Sequence, residues 1–415
     1  MFSGIFKIIF IGFFISILST ASADTLYVIQ GSKLSSIKQA ITKAQPFDVI
    51  HINKGIYKEG NIQIEKPLSI IGEIDAILDG ENKTEIFTIA SDHVNIKGLT
   101  LKNTGYSSMD DRAAIKLLSA SFCVIDGNTI ENTCFGIYLL QVSNCVIKNN
   151  KLKASAVQEI RSGNGIHVWK SDSLTIKNNT IEHYRDGIYF EFVTHAGVYD
   201  NISKKNLRYG IHFMFSNNDE YTGNTFTQNG SGVAVMFSKN VTIKNNIFSY
   251  SEGGAAYGVL FKEITDAQIE NNIFSNNTVA LYMEGSNRLV IKNNLLQANG
   301  RACSMQANCY DVQMTQNNFI GNTFDIATNG TLSMNDLNGN YWDKYEGYDL
   351  DKNGIGDVHY TPVSLYSVII EKMPYSILLY RSLMVYLLDR SEKVLPGVDE
   401  SRIKDHKPLM KAVDL

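Results

Sequence analysis

Apolar positions along this chain follow two interlocking phrases, and neither has a helical period. The first phrase is Ile-Lys-Asn-Asn, at 147–150, 176–179, 243–246 and 291–294, with Ile-Glu-Asn-Asn at 269–272. The second is a Gly followed by apolar residues at alternate positions, beginning at Gly136, Gly165, Gly187, Gly210, Gly232 and Gly258, with Ala280 in the same slot. The second Asn of each pair marks the series Asn128, Asn150, Asn179, Asn201, Asn224, Asn246, Asn272, Asn294, Asn318 and Asn340. From Gly136 to Ala280, each slot lies the same distance ahead of its Asn, so length changes fall between one Asn and the next slot. The longest insertion covers 151–163, with shorter ones at 249–257 and 297–303. A constant arc with insertions at one corner is the signature of a solenoid whose loops project from one edge. The runs after each slot have strand length and are rich in β-branched residues. The unit is too short for paired helices, and the leucine-rich signature is absent. The pattern predicts an all-β solenoid, a right-handed parallel β-helix over 24–361 with coils of about 22 residues. Stacked Asn side chains would form an amide ladder inside it.

The same alternation sorts the faces. Counting from the slot, positions +1 and +3 are apolar, as in Ile166/Val168, Ile188/Phe190, Ile211/Phe213 and Val233/Val235, and should point inward. Positions +2 and +4 should then point outward. They read Tyr138, His167, Tyr189, His212 and Leu140, Trp169, Glu191, Met214, Met236. A solvated strand face ordinarily carries Thr, Lys, Ser and Glu. Adjacent coils stack at ~4.8 Å, which makes Met214 and Met236 lateral neighbours, with His212 two residues along the same strand. Two thioethers and an imidazole suit Cu(I), a soft ion. The same patch also suits packing against a loop or a partner protein.

Both ends depart from the repeat. Leu34, Ile37 and Ile41 predict a short amphipathic helix over 34–44, covering the first coil. After 362 the period changes. Segments 365–370 and 375–388 have helix-compatible spacing, separated by Pro374. This tail, 362–415, is too short in its apolar runs to span a bilayer. It is also more apolar than a cap requires, so Leu365, Tyr375, Leu378 and Leu379 are expected to dock on a membrane-embedded partner or at the membrane surface. At the other end, Lys7, an apolar run over 8–18 and Ala21-Ser22-Ala23 read as a signal peptide over 1–23.

Composition narrows the function classes. A net charge of −4 with no basic stripe argues against nucleic acid. Five cysteines in an exported chain leave at least one unpaired. Cys123 and Cys145 share one slot in adjacent coils and read as stacked core residues, Cys134 has no mate, and Cys303 and Cys309 bracket a loop as disulfide candidates. Asp349, Asp351, Asn353, Gly354 and Asp357 match the first half of a calcium loop, although Tyr360 stands where a bidentate Glu would close it. A polysaccharide lyase or epimerase is the alternative from another class. It needs clustered carboxylates beside a base, and Glu191 is alone on the patterned face. A non-catalytic β-helix scaffold is a third reading.

Segments 163–174, 184–192, 206–216, 232–240 and 339–349 resemble the NosD family, the periplasmic β-helix proteins that mature nitrous-oxide reductase. The resemblance spans essentially all of the chain after the leader and includes the tail. It implies a non-enzymatic periplasmic role beside an ABC transporter of permease and ATPase subunits, assisting assembly of the reductase's copper–sulfide centre. It also implies delivery of copper by the lipoprotein chaperone NosL. On this reading the tail sits on the permease, and the patterned face meets chaperone and reductase in turn. The family offers no catalytic motif to carry over. His212, Met214 and Met236 as transient copper ligands, and His167, Trp169, Tyr189 and Glu191 as partner contacts, rest on the facing argument.

Overall fold

The structure, a computed structural model, describes residues 23–332, 334–394 and 403–414. The leader expected over 1–23 lies, but for Ala23, outside the described residues.

The chain winds into a parallel β-solenoid of about 14 turns. Sheet A runs from Thr25–Val28 to Tyr310–Thr315, sheet B from Gly55–Tyr57 to Tyr341–Trp342, and sheet C from Ile62–Ile64 to Phe324–Ala327. Sheets A and B hold 13 strands each and sheet C holds 12, so every complete turn supplies one strand to each sheet. Register aligns like with like. Ile147 pairs with Ile176 in sheet A, and Val168 pairs with Phe190 in sheet C. Residues at +1 and +3 of sheet C are fully buried, including Ile166, Val168, Ile188, Phe190, Ile211 and Phe213. The inward half of the facing argument therefore holds.

Each residue of the Asn-Asn phrase has its own task. The first Asn takes a left-handed backbone, with φ of 56° at Asn149, 55° at Asn178 and 56° at Asn245. This is a conformation that Asn and Gly tolerate best, and Gly127 and Gly223 occupy the equivalent place. The second Asn points inward. Asn150 Nδ2 donates to Ile125 O and to Asn179 Oδ1 (both 3.0 Å), and Asn150 Oδ1 accepts from Asn128 N at 2.9 Å. Near the C-terminal end the ladder passes through Asn317 rather than the expected Asn318, because Asn317 accepts from Asn294 and donates to Asn340. Gln316 takes the left-handed place before it, with φ of 55°. Asn318 instead bonds the backbone of Val413.

The N-terminal end is covered by α1 (Ile37–Lys43), which buries Ile37, Ala40 and Ile41. Glu59 accepts from the first free amides of this helix, Ile37 N at 2.7 Å and Lys38 N at 3.0 Å, satisfying its N-terminal donors.

The tail departs from a simple helical appendage. α2 (Leu365–Lys372) and α3 (Leu383–Val394) flank a 3-10 segment, Pro374–Leu379, where one helix over 375–388 was expected. Arg381, with φ of 68°, marks the break before α3. Residues 403–414 return to the solenoid and seal its last coil. Asp405 accepts from Gly339 N, Asn340 N and Trp342 Nε1 at 3.0, 3.0 and 2.9 Å, and Leu409 bridges Tyr341. The tail is thus an excursion tied down at both ends.

Candidate functional site on the outer face of sheet C

The outward positions of sheet C form a continuous aromatic column. Tyr138 stacks on His167 with ring centroids 4.6 Å apart, and His167 stacks on Tyr189 at 4.8 Å. Tyr189 meets His212 edge-on at 5.1 Å. Parallel register puts these rings one above another, since Tyr138, His167, Tyr189 and His212 are successive Cα partners. The +4 column lies beside it. Trp169 pairs with Glu191, Glu191 with Met214, and Met214 with Met236. Register therefore makes Met214 and Met236 lateral neighbours, with His212 two residues along the strand of Met214. The face is less solvated than the sequence suggested, because mutual stacking leaves His212 only 7% exposed and Tyr138 equally covered.

Polar contacts under the column come from residues that the sequence reading passed over. Asp186 is completely buried and takes Arg208 in a two-pronged ion pair through Nε and Nη2. Arg208 Nη2 also lies 3.3 Å from His212 Nδ1, and that nitrogen is 3.8 Å from Asp186 Oδ2. One coil earlier, Arg185 Nε donates to Asn164 Oδ1 at 3.3 Å, and Asn164 Nδ2 meets His167 Nδ1 at 2.9 Å. Burial opposes the charge of Asp186. His212 beside it and the two-pronged pair with Arg208 outweigh that burial and hold the carboxyl below its usual range. Burial, with Arg185 nearby, pulls His167 down to about 3, so its ring is neutral near pH 7. Tyr189 donates to Glu191 at 3.0 Å, and burial next to that carboxylate raises its phenol to about 12. Two buried nitrogens, His212 Nε2 and Trp169 Nε1, have no hydrogen-bond partner among the described residues. One signal was available in the sequence: an Arg stands two residues before the slot in two successive coils, Arg185 before Gly187 and Arg208 before Gly210.

A second missed feature borders the face. Phe192, Phe215 and Phe237 follow Glu191, Met214 and Met236 at the corner. They stack at 5.2 and 5.0 Å, and each is exposed and left-handed, with φ of 51–55°. Equivalent corners of other coils carry Gln141, Lys170 and Glu263. The three phenylalanines extend the apolar surface past the methionines.

Other expected sites fare differently. Cys303 and Cys309 are both buried free thiols, so the expected disulfide is not formed. Cys303 is a core residue of strand Arg301–Met305, pointing into the coil. Cys123 and Cys145 stack as expected, with Cys123 N 3.4 Å from Cys145 Sγ. In the Asp349–Asp357 loop the carboxylates accept from the loop's own amides: Asp349 from Asn353 N and Gly354 N, Asp351 from Asn353, and Asp357 from Leu350 N. Among the described residues no cluster of three or more His, Cys, Asp or Glu could hold a metal. A Cu(I) site drawing on methionine sulfur lies outside that donor set.

The tail presents the broadest apolar exposure. Tyr375 is 88% exposed, Leu378 84% and Met384 70%, with Ile377, Leu379, Leu383, Tyr386 and Leu387 also exposed. Tyr366, Ile370 and Val385 turn inward and pack on Phe324, whose strand ends sheet C. Leu365 is half-buried, at the start of α2. Among the described residues no helix is long and apolar enough to cross a membrane.

A family model described as periplasmic copper-binding protein (NosD) matches residues 152–347. A Pseudomonas aeruginosa protein named "Probable ABC transporter binding protein NosD" is 30% identical over 371 residues, covering 85% of this chain and 86% of that protein. A Stutzerimonas stutzeri protein of the same name is 26% identical over 373 residues, covering 85% of each. Among solved structures, the A-module of the Azotobacter vinelandii mannuronan C-5 epimerase AlgE6 aligns with a TM-score of 0.59 at 13% identity, over 71% of this chain and 90% of that one. A family 28 exopolygalacturonase of Yersinia enterocolitica aligns with a TM-score of 0.60 at 13% identity, over 78% and 79%. Those two enzymes share the fold alone. Identity of 30% across 85% of this chain and 86% of the Pseudomonas aeruginosa relative places this protein in the NosD family.

Proposed function

We propose that this protein is a periplasmic, non-catalytic accessory of an ABC transporter that assists assembly of the copper–sulfide centre of nitrous-oxide reductase. The observation that carries the reading is the doubly tethered apolar excursion, α2 to α3. It exposes Tyr375, Leu378, Leu379, Leu383 and Met384 on a chain whose relatives are named as transporter binding proteins. Large exposed apolar patches mark interfaces, and a permease rim is the apolar surface such a partner provides. The solenoid would stand on the permease, behind which the ATPase sits, and present sheet C to the chaperone NosL and to the reductase. Copper enters as cargo. Met214 and Met236, lateral neighbours on the outer face, offer two thioethers, and His212 offers a ring nitrogen. His167, Trp169, Tyr189 and Glu191 would contact the docked partner.

Two measurements test the two halves. Tyr375→Ser/Leu378→Ser/Leu379→Ser should leave the thermal melt of the solenoid in place and abolish co-purification with the detergent-solubilised permease and ATPase. Undiminished co-purification would sink the docking half. Anaerobic Cu(I) competition against a chromogenic chelator should show saturable binding by the mature chain that Met214→Ala/Met236→Ala loses. Equal binding by both would remove the methionines from the copper reading.

A further inference from the structure

The two legs of the tail excursion meet at one antiparallel bridge. Tyr360, just before the tail, and Asp405, just after it, exchange both backbone hydrogen bonds: Tyr360 N donates to Asp405 O at 2.9 Å and Asp405 N to Tyr360 O at 2.8 Å. Both side chains turn inward. Tyr360 donates to the buried Asp325 at 3.0 Å, and Asp405 holds the last rung of the ladder. Alternation along extended backbone turns the next pair outward. That pair is His359 and His406, and both are exposed. Beside a hydrogen-bonded antiparallel pair, the adjacent opposite residues have Cα atoms about 4.5 Å apart and side chains at their closest. The two imidazoles accordingly lie with ring centroids 6.1 Å apart, tilted by 47°.

That is the spacing of two ligands on one ion. A ligand nitrogen stands roughly 2 Å from its metal and the ring centre about 1 Å behind it, so opposed rings have centres about 6 Å apart. Neither ring has a side-chain or backbone hydrogen-bond partner among the described residues. Partial burial first, then Lys404 and His406, hold the His359 ring below its usual value, so near pH 7 it is the free base that a metal needs. Which ion fits follows from what surrounds the pair. Among the described residues no third His, Cys, Asp or Glu joins it, and Lys404 adds a positive charge beside it. Zinc ordinarily takes four ligands, and a dication would meet Lys404 with no carboxylate to offset it. Cu(I) carries a single charge, accepts imidazole nitrogen, and is satisfied by two ligands in line.

We propose that His359 and His406 form a two-coordinate Cu(I) site at the base of the tail, and that the bound ion staples the two legs of the excursion together. Each ring gives one lone pair, and no electron moves. The ion held here is a further equivalent, separate from any held by Met214 and Met236 on sheet C. What the staple controls, the hold of the solenoid on its docking segment, rests on the transporter reading of the tail. The site itself does not.

The experiment titrates Cu(I) anaerobically against a chromogenic chelator into the full mature chain carrying Met214→Ala/Met236→Ala, which removes the sheet C sulfurs. One equivalent should remain. It should be lost when either His359→Gln or His406→Gln is added, with the thermal melt of the metal-free chain unchanged. Zn(II) should not be retained. Cu(I) should also slow hydrogen exchange at the Tyr360 and Asp405 amides when both histidines are present, and in neither Gln variant. No remaining equivalent, or one that survives both Gln variants, overturns the site. Zn(II) retained and then lost with the histidines overturns the choice of a monovalent ion. Cu(I) bound with exchange unchanged overturns the staple. None of these outcomes involves the sheet C methionines or co-purification with a transporter, so the readings of that face and of the tail fail or stand separately.

Discussion

At the scale of single residues, the interior is held by amides that have no substitute. Asn224 Nδ2 reaches Val198 O and Asn246 Oδ1 at 2.8 and 3.0 Å, and its Oδ1 takes the Asn201 amide and side chain at 2.9 and 3.0 Å. Asn224→Ala leaves several fully buried donors and acceptors without partners, so a loss of about 3 kcal/mol or more in urea unfolding is expected. Asn224→Asp should be no milder, since a carboxylate cannot donate to Val198 O or Asn246. Asp219 is the opposite case. Its Oδ1 accepts from Ala196 N at 2.8 Å, its Oδ2 has no partner at hydrogen-bond geometry among the described residues, and burial raises its pKa to about 8. The folded chain therefore holds a proton there that the unfolded chain releases above its ordinary carboxylate range. Stability from this group falls as pH rises from about 4 to about 8 and is level beyond. Asp219→Asn keeps the acceptor and removes the cost of ionisation, so it should raise the melting temperature at pH 8 and leave it nearly unchanged at pH 4. An equal shift at both values would contradict that assignment. His167 has the other sign. Its pKa is lowered to about 3, so stability is fully present above its ordinary value near 6.5 and is lost as pH falls towards 3.

At the scale of elements, the same ladder explains how the C-terminal end is closed. The last rung, Asn340, has no following coil to accept its amide, and Asp405 supplies the missing acceptor together with partners for Gly339 N and Trp342 Nε1. Without this seal, a terminal coil exposes apolar core and unpaired amides. Asp405→Ala should speed hydrogen exchange at Gly339, Asn340 and Tyr341 while the central coils stay protected. Because Asp405 also anchors the far side of the tail excursion, the variant should make segment 365–394 more sensitive to protease. Unchanged exchange would show that Leu409 and Val413 suffice to hold the end. Much of this level was visible beforehand. The Asn-Asn spacing, the inward apolar pairs and the N-terminal helix follow from strand and helix periods, which are properties of neighbouring residues on one element. The shift from Asn318 to Asn317 shows the limit, since three polar residues in a row fit two alignments and only the coil above selects one.

At the scale of the whole molecule, the two proposed functions are spatially separate. Sheet C carries His212 and Met214 five strands away from Phe324–Ala327, against which the tail packs. Strand spacing makes that about 24 Å. Sites so far apart should be energetically independent. Tyr375→Ser/Leu378→Ser/Leu379→Ser should bind Cu(I) like wild type, and Met214→Ala/Met236→Ala should still join the transporter. Coupling between the two would instead require a conformational change along the solenoid.

What the sequence determined by itself was the repeat, the alternation of faces and the departure of both ends from the period, and with them the coincidence of His212, Met214 and Met236 on one surface. These are short-range regularities, and burial imposes them one strand at a time. What only the tertiary structure decided was which groups from other coils stand beside those residues. Asp186 lies a full coil from Arg208 and meets it only after the intervening corner has closed at one length. The calcium-like loop turns its carboxylates onto its own amides, and Cys303 turns into the core, for the same kind of reason: backbone donors and a packed interior claim those side chains first. Residues 403–414 carry no period at all. Their place was set by the unpaired last rung of the ladder, a vacancy that exists only once all the coils before it have formed.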